Sequence, residues 1–169
     1  WTCIGGYNWG SATNPWVHPD MHYMKFKPGS DSLYVGHDGG ISITANAGSS
    51  WFHKHDGMNI TQYYKMSNSQ SNADLIICGA QDNSTHLYDG TSWDVVNGGD
   101  GMDCEIDYAD DDIMFASSQN GNFRRSTNGG NSFQNMAGLP SNSGGWVSPI
   151  EIDPTNHSRV LIGLSRIYR

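Results

Sequence analysis

His18, Asp20 and His22 stand at alternating positions in the segment Val17-His-Pro-Asp-Met-His22. In an extended chain, alternate side chains point to one side, so two imidazoles and a carboxylate would face the same way. That donor set suits a divalent transition metal. Pro19 lies between them, removes a backbone donor and makes the start of a strand irregular, which turns His18 away from the other two. The expectation is therefore a solvated or paired set with no tightly held metal. Asp38, Asp82 and Asp100 sit in the turn-forming runs His37-Asp38-Gly39-Gly40, Gln81-Asp82-Asn83 and Gly98-Gly99-Asp100-Gly101. Such residues serve tight turns directly, and together they also form a set of carboxylates for a ligand. Hydrolysis of a sugar would need two carboxyl groups about 5 to 10 Å apart across the scissile bond. Trp9, Trp16 and Trp146 fall outside the apolar runs, where a ring either anchors a loop or stacks on a sugar.

The elements that must position these residues are short. The chain has 169 residues with 21 Gly and 6 Pro, and no sustained 3.6-residue apolar period. A helical bundle is excluded and an all-β architecture expected, with aromatic side chains supplying much of the buried surface. The net charge of -8 argues against nucleic acid or an anionic membrane surface, either of which needs a basic face. No run approaches the roughly 18 apolar residues of a membrane span. Cys3, Cys78 and Cys104 show no Cys-x-x-Cys spacing, so buried or unpaired thiols are expected rather than a disulfide scaffold. No cofactor is called for.

Internal repeats organise the chain. Thr44-Ala-Asn46-Ala-Gly48-Ser-Ser50-Trp51 and Ser126-Thr-Asn128-Gly-Gly130-Asn-Ser132-Phe133 share Ser/Thr-x-Asn-x-Gly-x-Ser-aromatic, and Gly90-Thr-Ser92-Trp93 between them keeps its second half. The aromatic-to-aromatic steps are 42 and 40 residues, and a period of roughly 40 to 45 is that of propeller blades. In phase with these, Leu33-Tyr-Val-Gly36, Ile76-Ile-Cys-Gly79, Met114-Phe-Ala-Ser117 and Val160-Leu-Ile-Gly163 are apolar runs ending in a small residue. The first three precede Asp38-Gly39, Asp82-Asn83 and Asn120-Gly121, which suit hairpins. The strands expected are 21–27, 32–36, 40–44 and 51–54, then 62–67, 74–79, 84–88 and 92–96, then 103–108, 112–117, 121–126 and 132–135, with 147–152 and 159–164 as half a blade.

The two full motifs resemble the Asp-box of bacterial neuraminidase repeats, found in sialidases, oligoxyloglucan-type glycoside hydrolases and sortilin-type propellers, with Asn where the family prefers Asp. The wider pattern over residues 17–164 is similar to secreted propeller proteins of Bacteroidetes, many of them type IX secretion cargo. The resemblance implies a partial β-propeller of three four-stranded blades and part of a fourth. It also implies a secreted or cell-surface location and structural boxes on the rim away from ligand sites. In oligoxyloglucan-type hydrolases a strand followed by Thr-Asp-x-Gly-Gly carries a catalytic carboxylate, and Tyr34-Val-Gly-His37-Asp38-Gly39-Gly40 resembles it, which makes Asp38 the single catalytic candidate. A sialidase is discounted, because the five arginines all fall late in the chain and make no convincing triad.

The domain reading is an irregular lead-in over 1–16 and blades over 17–169, with the open ends covered by further blades of the same polypeptide or by a partner protein. Strand alternation places His18, Asp20, Asp38, Asp82 and Asp100 at the end opposite the boxes. The expected function is a non-catalytic extracellular module binding a glycan or a protein there. Two alternatives stand beside it: a polysaccharide hydrolase using Asp38, and a structural spacer of a large adhesin.

Overall fold

A computed structural model of the chain describes residues 2–5, 16–141 and 143–169. Trp9 and most of the 1–16 lead-in lie outside these. The described residues form strands and turns with no helix, and the chain divides into two compact units, residues 1–60 and 61–169.

The first unit is one antiparallel sheet, β1 (Met21–Phe26), β2 (Leu33–His37), β3 (Gly40–Thr44) and β4 (Phe52–His53), paired in chain order. Leu33 pairs with Thr44, Val35 with Ser42 and His37 with Gly40, so Val35, His37, Ser42 and Thr44 share a face, and all four are buried. Val17, ahead of β1, is also buried, whereas every residue of β1 is exposed.

The second unit holds three sheets. Strands β5 (Tyr63–Asn68), β6 (Ile76–Ala80), β7 (Thr85–Tyr88) and β8 (Trp93–Asn97) form one. Strands β9 (Gly101–Ile106), β10 (Ile113–Ser118), β11 (Asn122–Thr127) and β12 (Gln134–Asn135) form the next. The last is β13 (Ile150–Ile152), β14 (Val160–Gly163) and β15 (Ile167–Tyr168). The sheet of β9–β12 buries both faces. Cys104, Ile106 and Met114 pack with Ile77 and Leu87 of the sheet before it, and Phe115 and Phe123 with Ile150, Ile152 and Ile162 of the sheet after. Adjacent residues Met114 and Phe115 thus enter opposite cores, as strand alternation requires. Each such side chain contributes about 1.5 to 3 kcal/mol by leaving water.

The glycine that closes the second apolar run, Gly79, has a steric cause. A Cβ on Gly79 would lie 1.9 Å from the Met102 carbonyl oxygen, and one on Gly101 would lie 2.1 Å from that of Ser84. Backbone meets backbone here, where β6 ends and β9 begins, and only glycine leaves room.

Both full repeat motifs close by one hydrogen-bond scheme. Thr44 Oγ1 accepts from the Gly48 N–H at 2.9 Å, Asn46 Oδ1 accepts from the Ser50 N–H at 2.9 Å, and Asn46 Nδ2 donates to Ser50 Oγ at 2.9 Å. Ser126, Asn128, Gly130 and Ser132 repeat this at 3.0 Å in each of the three bonds. Gly48 and Gly130 take φ of 84° and 83°, the left-handed region. The degenerate middle turn uses Asp89, whose carboxylate accepts from the N–H groups of Thr91 and Ser92 and from the Thr91 hydroxyl. These bonds draw Asp89 down to about 2. Of the motif aromatics, Phe133 packs on the Ile77 core and the Trp51 indole donates to the Ile4 carbonyl at 2.8 Å, while Trp93 of the middle copy is exposed.

Strand bounds depart from the sequence reading at a few places. Strand β9 starts at Gly101 rather than 103, β13 at Ile150 rather than 147, and β4 and β12 are two residues each. The last sheet gains a third strand, Ile167–Tyr168, which the apolar pattern did not indicate because Ser165-Arg166 leave only two residues to pair with β14.

Candidate functional site

Within each sheet the β2–β3, β6–β7 and β10–β11 hairpins lie at the end opposite the eight-residue turns, and each unit gathers polar side chains at that hairpin end.

In the first unit His18, Asp20 and His22 do not lie along one extended strand. Strand β1 begins only at Met21, Asp20 has φ of 61°, and Pro19 precedes it. His22 pairs instead with Asp38 in the β2–β3 turn, Nε2 to Oδ1, and the carboxylates of Asp20 and Asp38 approach within 4.8 Å. His18 turns the other way. Its ring stacks on His37 at 5.8 Å with planes 15° apart, and Nδ1 meets the Pro19 carbonyl at 3.1 Å.

Behind His18 lies a chain of groups that sequence reasoning did not connect. His37 Nε2 is 2.7 Å from Ser42 Oγ, and Ser42 Oγ is 2.9 Å from His53 Nδ1. His55 lies 5.5 Å beyond His53, and Trp16 stands edge-on to His53 at 5.0 Å. Burial lowers the pKa of His37 first of all, then the fields of His18, His53 and His55, while Asp38 opposes. His53 is lowered by burial and by His55. The alternation His53-Lys54-His55 was the available signal, since it sends both imidazoles to one side of β4 and the segment after it. The stacked rings do not converge: among the described residues no three histidine nitrogens lie within 4.8 Å of one another.

In the second unit Asp82 and Asp100 come together, the Asp82 N–H donating to Asp100 Oδ1 at 2.8 Å, and the Asp100 N–H donating to Gln119 Oε1 at 3.0 Å. Asp82 and Asn120 take φ of 57° and 64°, so both also serve their turns. Beside them the Trp146 indole donates to Tyr64 Oη at 3.0 Å, and the Tyr64 hydroxyl donates to Gln81 Oε1 at 2.5 Å. Trp146 is 49% exposed, so its ring is fixed by its edge and offers surface to solvent. Tyr64 and Gln81 were not singled out from sequence, because a contact spanning 82 residues leaves no local trace.

The inner strands of this unit carry a second polar row. Asp103 is buried, its carboxylate accepts from the N–H groups of Cys104 and Ile150, and burial raises its pKa. Glu105 accepts from the Ser67 hydroxyl and is likewise raised by burial. At the opposite end, a cleft of about 620 Å³ is lined by Phe115, Arg125, Met136, His157, Ile162 and Tyr168.

No family model matches the chain, and no curated protein sequence matches it. Solved structures do. The GH74 xyloglucanase from Xanthomonas campestris is similar with a TM-score of 0.51 at 14% identity, over 88% of this chain and 27% of that one. The GH74 enzyme from Niastella koreensis gives 0.51 at 17% identity, over 88% of this chain and 29% of that one. An ancestral GH74 enzyme gives 0.50 at 18% identity, over 89% and 22%. The chain thus spans under a third of the length of each of these structures. Its four antiparallel sheets and these neighbours define the fold class as all-β, a partial β-propeller with each sheet a blade. A fold of this kind hosts many functions, so the neighbours establish architecture alone.

Proposed function

We propose that the chain is a non-catalytic Asp-box propeller module, secreted or displayed on the outer cell surface, that binds a glycan through the hairpin ends of its blades. The observation that carries this is Trp146. A half-exposed indole held through its N–H by Tyr64 and Gln81 presents a rigid face, the kind of surface on which a sugar ring stacks at little entropic cost. Asp82 and Asp100 lie alongside, with carboxylate oxygens as acceptors for hydroxyl groups. The Asp-box assignment rests on the two identical turn networks, whose Asn stands where the family has Asp.

Further blades, in the same polypeptide or in a partner protein, would cover the apolar surface that the blades leave exposed. Tyr23, Met24 and Phe26 are each 63% exposed, and Ile167 is 81% exposed.

Screening the chain on an array of polysaccharides and glycans tests the reading. Retention of a glycan that is abolished in Trp146→Ala, with thermal stability unchanged, is expected; equal retention by parent and variant, or no retention by either, contradicts it, the latter favouring a protein ligand or a structural spacer.

A second reading has its own observation. Asp38 pairs with His22 and has the Asp20 carboxylate within 4.8 Å, and the solved relatives include a xyloglucanase. A retaining glycosidase needs a second carboxyl about 5 to 5.5 Å from the first across the sugar, and in this reading it would come from outside this chain. Release of reducing sugar that disappears in Asp38→Asn would favour hydrolysis over binding.

A further inference from the structure

Four imidazoles from three separate stretches of the first unit meet around one buried hydroxyl. His18 comes from the segment before β1, His37 from the end of β2, His53 from β4 and His55 from just beyond it, while Ser42 on β3 has no exposed surface. Ser42 Oγ lies between His37 Nε2 and His53 Nδ1. A hydroxyl has one proton to give, so it donates to one ring and accepts from the other. His37 Nδ1 is buried without a partner, and a buried N–H lacking an acceptor is the costlier orphan. We therefore assign the His37 proton to Nε2, which donates to Ser42, and the Ser42 proton is donated to His53 Nδ1.

That arrangement is complete only while the rings are neutral. A second proton on His37 would sit on Nδ1, buried with no acceptor. A second proton on His53 would set an N–H against the Ser42 O–H, two donors face to face. The His55 Nδ1 is likewise buried without a partner. Charging any ring also brings it near others at 5.5 to 5.8 Å, where like charges repel. The groups facing His37 and His53 are His18 ahead of β1, Asp38 in the β2–β3 turn, and His55 and Asp56 after β4. Lys54, between the last two imidazoles, is exposed. Asp38 and Asp56 oppose the effect from the rim, and Asp38 is already paired with His22.

The contact at stake holds the entry to β1. His18 lies flat on His37 and fits over Gly39 so closely that a Cβ there would come within 2.7 Å of the His18 ring. We propose that this imidazole cluster is a proton-operated latch: neutral rings hold residues 16–20 down on the sheet, and protonation in mild acid separates His18 from His37 and frees the Asp20, His22 and Asp38 corner. Blade 1 would then expose that corner differently in neutral and acidic surroundings, whatever ligand the protein takes.

Hydrogen exchange by mass spectrometry on the whole chain tests the latch without reference to a ligand. Between about pH 7.5 and about pH 5, after correction for the intrinsic rate, protection over residues 16–22 should fall about tenfold or more, while β9 and β10 keep theirs. His18→Phe keeps a stacking ring that cannot charge, and should retain protection of this segment across the range. Imidazole titration by NMR gives an independent measure that needs no variant, with His37 expected to titrate below the ordinary imidazole value. Unchanged protection of 16–22 in the parent, an undiminished acid loss in His18→Phe, or His37 titrating at or above the ordinary value would each overturn the proposal.

Discussion

Glu105 carries a carboxyl onto the inner row of the second unit. Burial raises its pKa above the ordinary carboxylate value; the Ser67 hydroxyl opposes this, Asp103 and Glu151 add to it, and Lys65 opposes. The folded chain thus holds this proton to higher pH than the unfolded chain does, and the stability it contributes is present in acid and lost as pH rises through the raised value. Glu105→Gln keeps an acceptor for Ser67 and removes the charge. Relative to the parent, the variant should gain stability in urea unfolding as pH climbs from about 4 to about 8; a difference that does not vary with pH would count against this account. His37 runs the other way, since its lowered value makes the unfolded chain the better proton acceptor below about 6.5. At this scale the sequence was only half legible. Pro19 announced that His18 would leave the company of Asp20 and His22, a local effect of a fixed φ. The partnership of His37, Ser42 and His53 depends on β-pairing between β2, β3 and β4, and nothing at any one of the three positions points to the other two.

The repeat turn is the element whose chemistry is most local, and for that reason its presence was visible as a spacing. Its bonds run from each residue to ones two or four positions on, so the pattern of residue types nearly spells out the network. In the middle copy the role of Asp89 escaped, because it stands four residues before its aromatic, where Asn46 and Asn128 stand five before theirs. Asn128→Ala should cost about 1 to 2 kcal/mol through the lost turn bonds. In Asn128→Asp the Ser132 hydroxyl can turn to donate instead, and the cost should stay under about 0.5 kcal/mol. Equal losses in both variants, read from chemical denaturation, would show that the amide nitrogen matters more than the acceptor. The apolar runs were legible too, yet the reason for Gly79 at the end of the second was not, because it lies in another blade. Gly79→Ala would force a methyl into the Met102 carbonyl, and a loss of about 3 kcal/mol or more is expected.

At the scale of the molecule the chain divides after Ile60, and residues 56–60 carry no strand and are exposed. Limited trypsin digestion should cut first at Lys54, ahead of this segment, and leave the larger fragment resistant; first cuts inside β9 to β11 would contradict the division. The larger unit is a short line of three blades in which each buries apolar side chains only against its neighbours. The middle blade is gripped from both faces, through Met114 on one side and Phe115 on the other. The last blade has three strands and a largely bare Ile167. Such a line behaves like a zipper, with stability additive in blade and interface terms. The blade gripped from both faces should therefore be the last of the three to open, and with it the strand that carries Asp103 and Glu105, so that the inner acidic row outlives every site on the loops.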